Sequence, residues 1–138
     1  MKYVLDASVA VKWVLPENEI QEALTLRDDF RKQVQELIAP DIFAVEVANA
    51  LTRAERRGII QQSESLAKLS DVLTTSPDLH ANRPLLLRAT EISSRGRIGV
   101  YDCLYLALAE REQCDLVTAD RRLKATGHPQ VVLLADLP

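Results

Sequence analysis

Short runs that are apolar on both faces recur along this chain, each separated from the next by a longer segment of helical character. Tyr3-Val-Leu5 stops at Asp6, Leu37-Ile-Ala39 stops at Pro40, Asp115-Leu-Val-Thr118 runs out at Asp120, and Gln130 to Leu134 forms a last such run. A strand with no polar face has to be covered on both sides, which is the situation of a parallel sheet between helices. The alternation therefore predicts an α/β fold, a three-layer α/β/α sandwich around a central parallel sheet. Helices are expected over residues 7–15, Glu17–Glu36, Asp41–Arg57, Gln62–Leu73, Arg83–Ser94, Val100–Cys114 and 121–126, with one short strand hidden in Thr74–Asn82. Ile20, Leu24 and Leu26 are expected on the inner side of the second helix, and Asp41 and Ser63 are candidate caps. With 138 residues and no break in composition, residues 1–138 are expected to form a single domain.

Composition removes several functional classes. Seventeen Lys and Arg against 20 Asp and Glu give a formal charge of −3, so a basic coat for nucleic acid is excluded and only a local basic patch is available. Four glycines cannot be arranged into a P-loop or a dinucleotide-binding turn. The few aromatic residues are too sparse for a base-stacking sheet of the RRM kind. Cys103 and Cys114 form no C-x-x-C, and His80 and His128 lie far apart in sequence, so no zinc pattern exists. Two isolated cysteines fit a reducing, cytoplasmic setting. Asp6 and Lys12 interrupt the apolar N-terminal stretch, against a signal peptide, and no run approaches the ~18 apolar residues of a membrane span.

The acids carry the chemical information. Asp6, Glu46 and Asp102 are each the sole charge in an otherwise apolar segment: Tyr3–Val11, Ile42–Leu51 and Ile98–Ala109. A helix apolar on nearly every face is a buried helix, so its one carboxylate is at least partly desolvated, at a cost of several kcal/mol unless a positive charge offsets it. Asp6 and Asp120 follow strands, Asp102 opens a helix, and Glu46 sits about one and a half turns into another. Ligand sites of open α/β sheets gather beyond the carboxyl ends of the strands. Carboxylates converging there repel one another, and an all-oxygen acidic site favours Mg²⁺ or Mn²⁺. Each acid also has an ordinary structural alternative. Asp102 and Asp120 can cap helices, Glu46 can pair with Arg53 or Lys12, and Ser8 and Thr118 can be simple turn hydroxyls.

Four segments together resemble the PIN-domain family, and within it the VapC-type ribonuclease toxins, over the whole chain. Leu5-Asp-Ala-Ser-Val-Ala-Val-Lys-Trp-Val-Leu-Pro-Glu17 is similar to the family's first motif, and Pro40 through Glu46-Val-Ala-Asn-Ala-Leu51 to its second. Tyr101-Asp-Cys-Leu-Tyr-Leu-Ala-Leu-Ala109 resembles the third and Leu116-Val-Thr-Ala-Asp-Arg-Arg-Leu123 the fourth. The resemblance implies a metal-dependent endoribonuclease with Asp6, Glu46, Asp102 and Asp120 as catalytic acids and metal ligands. Asp6 and Asp102 are the first-choice ligands, and Ser8 and Thr118 support the carboxylates from behind. It also implies a homodimer and a cognate antitoxin protein.

RNA would have to be met by local charge. Arg53 and Arg57 follow Glu46, and Arg121 and Arg122 follow Asp120, although a solvated helix face is the plain alternative for each. Competing chemistries fit less well. A haloacid-dehalogenase-like phosphatase needs a second acid at position 8, where Ser8 stands, and a D-x-S-x-S adhesion site needs serine where Ala10 stands. A non-catalytic interaction module of the same fold remains the alternative of a different class.

Overall fold

The computed structural model describes all residues from 1 to 138. Strand β1 (Lys2–Leu5) leads into α1 (Ala7–Ala10) and a 3-10 turn (Val11–Trp13), followed by α2 (Ile20–Arg31) and β2 (Glu36–Pro40). Helices α3 (Ile42–Arg56) and α4 (Glu64–Leu73) precede β3 (Asp78–His80). A second 3-10 turn, Arg83–Leu85, opens α5 (Leu86–Gly96), and α6 (Val100–Glu112) then feeds β4 (Asp115–Thr118), α7 (Arg121–Ala125) and β5 (Val131–Leu133).

The five strands form one sheet in the order β3-β2-β1-β4-β5, and every pairing is parallel. This is the parallel sheet between helices that the apolar runs require. The chain builds outward from β1 through β2 to β3, then returns to the other side of β1 to lay down β4. The direction of winding thus reverses between β1 and β4, and a reversal of this kind opens a crevice at the strands' carboxyl ends. One contiguous cluster of 34 buried apolar residues runs through the sheet and its covering helices. Within it α6 is the most enclosed element, with Cys103 through Ala109 all buried.

Several local expectations needed correction. The first helix is only Ala7–Ala10 before the chain tightens into the 3-10 turn. Helix α2 starts at Ile20 rather than Glu17, because the buried Lys12 ammonium holds the Asn18 carbonyl at 2.7 Å and Glu17 at 3.6 Å. Ile20 and Leu24 face outward; the inner side of α2 is Ala23, Leu26 and Arg27. Trp13 decides this: its indole N–H donates to the Ala23 carbonyl (3.0 Å), and the Arg27 guanidinium lies 4.7 Å over its ring while pairing with Asp71.

Neither expected cap forms. Asp41 is already in the helical region (φ −55°, ψ −26°), whereas a capping side chain needs an extended backbone, and Asn82 Oδ1 accepts the Ile42 N–H instead. Ser63 is left-handed (φ 77°), and Glu55 accepts the Ser65 N–H at 2.9 Å in its place. Gly58 stops the chain after α3 in the left-handed region, at φ +74°.

Candidate active site

Asp6 extends β1 by one residue, its N–H donating to the Val117 carbonyl at 3.0 Å, and its side chain enters the crevice between β1 and β4. Two hydroxyls fix it there. Ser8 Oγ donates to Asp6 Oδ2 at 2.6 Å and Thr118 Oγ1 donates to the same oxygen at 2.8 Å. Each hydroxyl in turn accepts a backbone N–H, Ser8 from Ala119 and Thr118 from Asp120, both at 3.0 Å. Ser8 and Thr118 are therefore not idle turn residues. They tie the ends of two neighbouring strands to one carboxylate oxygen and leave Oδ1 without a hydrogen bond. Burial raises the Asp6 pKa, the two hydroxyls pull it partly back, and the nearby charges of Asp102 and Asp120 push it up again.

Glu46 reaches the crevice from α3. Burial pushes its pKa up to about 7; the Tyr105 hydroxyl opposes the rise, and Asp6 and Asp102 add to it. Glu46 Oε1 is buried with no hydrogen-bond partner. Neither proposed ion pair exists, since Lys12 is held by Glu17 and Asn18 and Arg53 makes no salt bridge. Asp102 is the third residue of α6, whose cap position is Gly99, and its side chain makes no capping bond. Its pKa is raised by burial and by Asp120, with Arg122 working against both. Asp120 does cap its helix: it accepts the Arg122 N–H at 2.9 Å and is gripped by the Arg122 guanidinium at 3.2 and 3.3 Å.

The four acids line a single open cavity of about 480 Å³. They sense one another's charge across it, yet no three Asp, Glu, His or Cys side chains are gathered tightly enough to hold a metal ion as they stand. Of the arginines singled out in the sequence, Arg53 lines the cavity and Arg122 borders it through Asp120. Arg57 and Arg121 are exposed and line no part of it.

Two further lining residues escaped the sequence reading. Asn49 follows Glu46 by three residues and precedes Arg53 by four, so a single stripe of α3 presents carboxylate, amide and guanidinium to the cavity. That spacing was visible in the sequence. Tyr101 is 60% exposed at the rim, directly before Asp102. Its outward position could not be read from a segment so apolar throughout.

Comparison with known proteins agrees with this architecture. The family model described as PIN domain matches residues 3–129. A protein of Pyrobaculum aerophilum named Ribonuclease VapC3 is 33% identical over 125 residues, 89% of this chain and 92% of that relative. Among solved structures, PAE2754 from Pyrobaculum aerophilum superposes with a TM-score of 0.75 at 22% identity, covering 98% of this chain and 85% of the other. VapBC2 from Rickettsia felis, solved with a DNA fragment from its promoter, gives a TM-score of 0.67 at 16% identity, covering 96% and 98%.

Proposed function

The chain belongs to the PIN domain family, and from that membership we propose that it is a metal-dependent endoribonuclease, the toxin of a toxin–antitoxin pair. The observation that carries the reading is the cavity at the reversal between β1 and β4. Four carboxylates line it, and Arg122, the one cation bonded to any of them, serves Asp120. Three raised carboxyl pKa values mark a site short of positive charge.

The donor set fits a divalent cation. It is all oxygen, one buried Glu46 oxygen has no partner, and Asp6 Oδ1 has no hydrogen bond while its other oxygen is fixed. Asp6 and Asp102 would hold the ion, with Glu46 and Asp120 completing the set; Mg²⁺ is the expected ion and Mn²⁺ an alternative. A bound ion would relieve charge on the phosphoryl oxygens and acidify the attacking water. The protein's own part is orientation. Ser8 and Thr118 hold the Asp6 carboxylate in one rotamer, and the Arg122–Asp120 bond sets the far wall. Arg53 and Asn49 on α3 are placed to meet a phosphate and a base edge. Tyr101 offers its exposed ring to an unpaired base, so single-stranded RNA is the substrate form the rim suits.

The relative named as a ribonuclease, at 33% identity across most of both chains, supports the reaction class. The VapBC2 neighbour supports a cognate antitoxin as partner. Homodimerisation is supported by the apolar side chains that α2 and α4 leave outside, among them Ile20, Leu24, Leu66 and Leu73. No helix is long and apolar enough to cross a membrane, and we place the protein in the cytoplasm with its RNA. Incubation of purified protein with single-stranded RNA, and separately with a phosphomonoester, in Mg²⁺, Mn²⁺ or EDTA tests the reading. Internal RNA cleavage that EDTA stops is expected. Hydrolysis of the monoester alone would favour the phosphatase, and no turnover of either the non-catalytic module.

A further inference from the structure

Helix α6 is enclosed from Cys103 to Ala109, so a residue there is chosen for packing, and a phenylalanine ring would pack as a tyrosine ring does. Position 105 nevertheless carries a hydroxyl. Tyr105 is fully buried and its hydroxyl makes no hydrogen bond, an arrangement that costs stability for nothing unless the group is used. The hydroxyl neighbours the Glu46 carboxylate, whose Oε1 is likewise buried and unpartnered, so two orphaned polar groups stand near each other. Tyr105 follows Asp102 by three residues and shares its side of the helix. It takes no part in the cavity wall, so it cannot touch a substrate. Whatever it does, it does through a neighbour.

We propose that Tyr105 is a positioning residue for metal binding: when a cation is bound, its buried hydroxyl donates to the Glu46 carboxylate and fixes the rotamer in which the other Glu46 oxygen faces the cavity. The proposal rests on the metal-site reading above and extends it to a residue outside the acidic quartet. Hydrogen bonds of this kind to a ligating carboxylate are what hold it in place, and their loss typically weakens metal affinity ~10–100-fold. A purely structural role competes with it, because the Ala7 N–H at the start of α1 is also near the phenol oxygen and could simply be bound by it.

The two roles predict opposite behaviour of Tyr105→Phe, read by thermal melting without metal and by Mn²⁺ titration followed by electron paramagnetic resonance. Positioning predicts a metal-free variant at least as stable as wild type, with Mn²⁺ affinity lower by ~10–100-fold. In a Glu46→Gln background, where the carboxylate is already gone, adding Tyr105→Phe should cost no further affinity, since the hydroxyl acts only through that carboxylate. Wild-type Mn²⁺ affinity in Tyr105→Phe would overturn the proposal while leaving the metal site standing. So would a variant that melts several degrees lower with unchanged affinity, or one that does not fold, because either makes the hydroxyl a brace for α1. A wild-type protein that binds no Mn²⁺ would remove the metal site itself.

Discussion

Helix α6 carries carboxylates near both ends, and the two ends treat them in opposite ways. Glu110, near the C-terminus, is saturated: Arg88 holds it with two bonds of 2.7 and 3.1 Å, and the His128 ring adds a contact of 3.0 Å. Arg88 keeps its carboxyl below the usual range. Asp102, near the N-terminus, has neither cap nor cation bonded to it, and burial together with the charge of Asp120 raises its pKa. A structural carboxylate is surrounded by what its charge needs, whereas the acid cavity maintains a deficit. The difference teaches where an outside cation is wanted.

The largest expected effect separates the ends by activity. Asp102→Asn keeps the side-chain volume but removes a proposed ligand, and RNA cleavage should fall by more than the ~100-fold typical of losing an outer partner. Glu110→Gln should cleave RNA as wild type does. A gel-based cleavage assay on both variants decides, and a fully active Asp102→Asn would erase the distinction.

Next comes the response to metal. A ligand that binds only the folded state at ~100 times its Kd adds about 2.7 kcal/mol, several degrees of melting temperature for a domain of this size. Wild type and Glu110→Gln should both show that rise with Mg²⁺ or Mn²⁺ in scanning calorimetry, and Asp102→Asn should show little of it. A rise in Asp102→Asn equal to wild type would place the cation elsewhere.

The pH dependence of the metal-free protein sharpens the contrast. Glu46 keeps its proton up to about 7 when folded but releases it near 4.5 when unfolded. Between those values the folded state binds more protons, so stability falls as pH rises through the window. Asp6 and Asp102 are shifted the same way. Glu110 is shifted oppositely: its contribution is present above the ordinary carboxyl range and is lost as pH falls through its lowered folded value. The metal-free melting temperature should therefore drop between about pH 5 and pH 7.5, and Glu46→Gln should flatten that slope. A slope unchanged in Glu46→Gln would show that the cavity does not strain the fold.

The smallest effect belongs to the saturated end. Glu110→Gln breaks a partly exposed ion pair and should cost about 0.5–1 kcal/mol by urea denaturation. A larger loss would mean that the contacts of Glu110 with Arg88 and His128 bear more of the fold than their exposure suggests.

Much of the architecture and the acidic quartet could be read before any coordinates, because both rest on short-range logic. Tyr3-Val-Leu5 and Leu116-Val117 are apolar on both faces, so they must be covered, and a lone acid at the end of such a run must lie at the sheet's rim. The errors share a different origin. Asp41 and Ser63 have capping side chains, but their backbone angles deny them the role. The pattern of their own helix points Ile20 and Leu24 inward, but Trp13 and Arg27 occupy the inner face.

By itself, then, the sequence determined which segments are strands, that the sheet is parallel, and that three carboxylates, Asp6, Glu46 and Asp102, lie in surroundings too apolar for them. Periodicity and burial cost act over a few residues, so they are visible in one dimension. Only the tertiary structure decided what meets those acids from distant parts of the chain: Thr118 on Asp6, Tyr105 beside Glu46, but nothing on Asp102. Hydrogen bonds are set by distances and angles at the ends of side chains, and folding brings those ends together without leaving a pattern along the sequence.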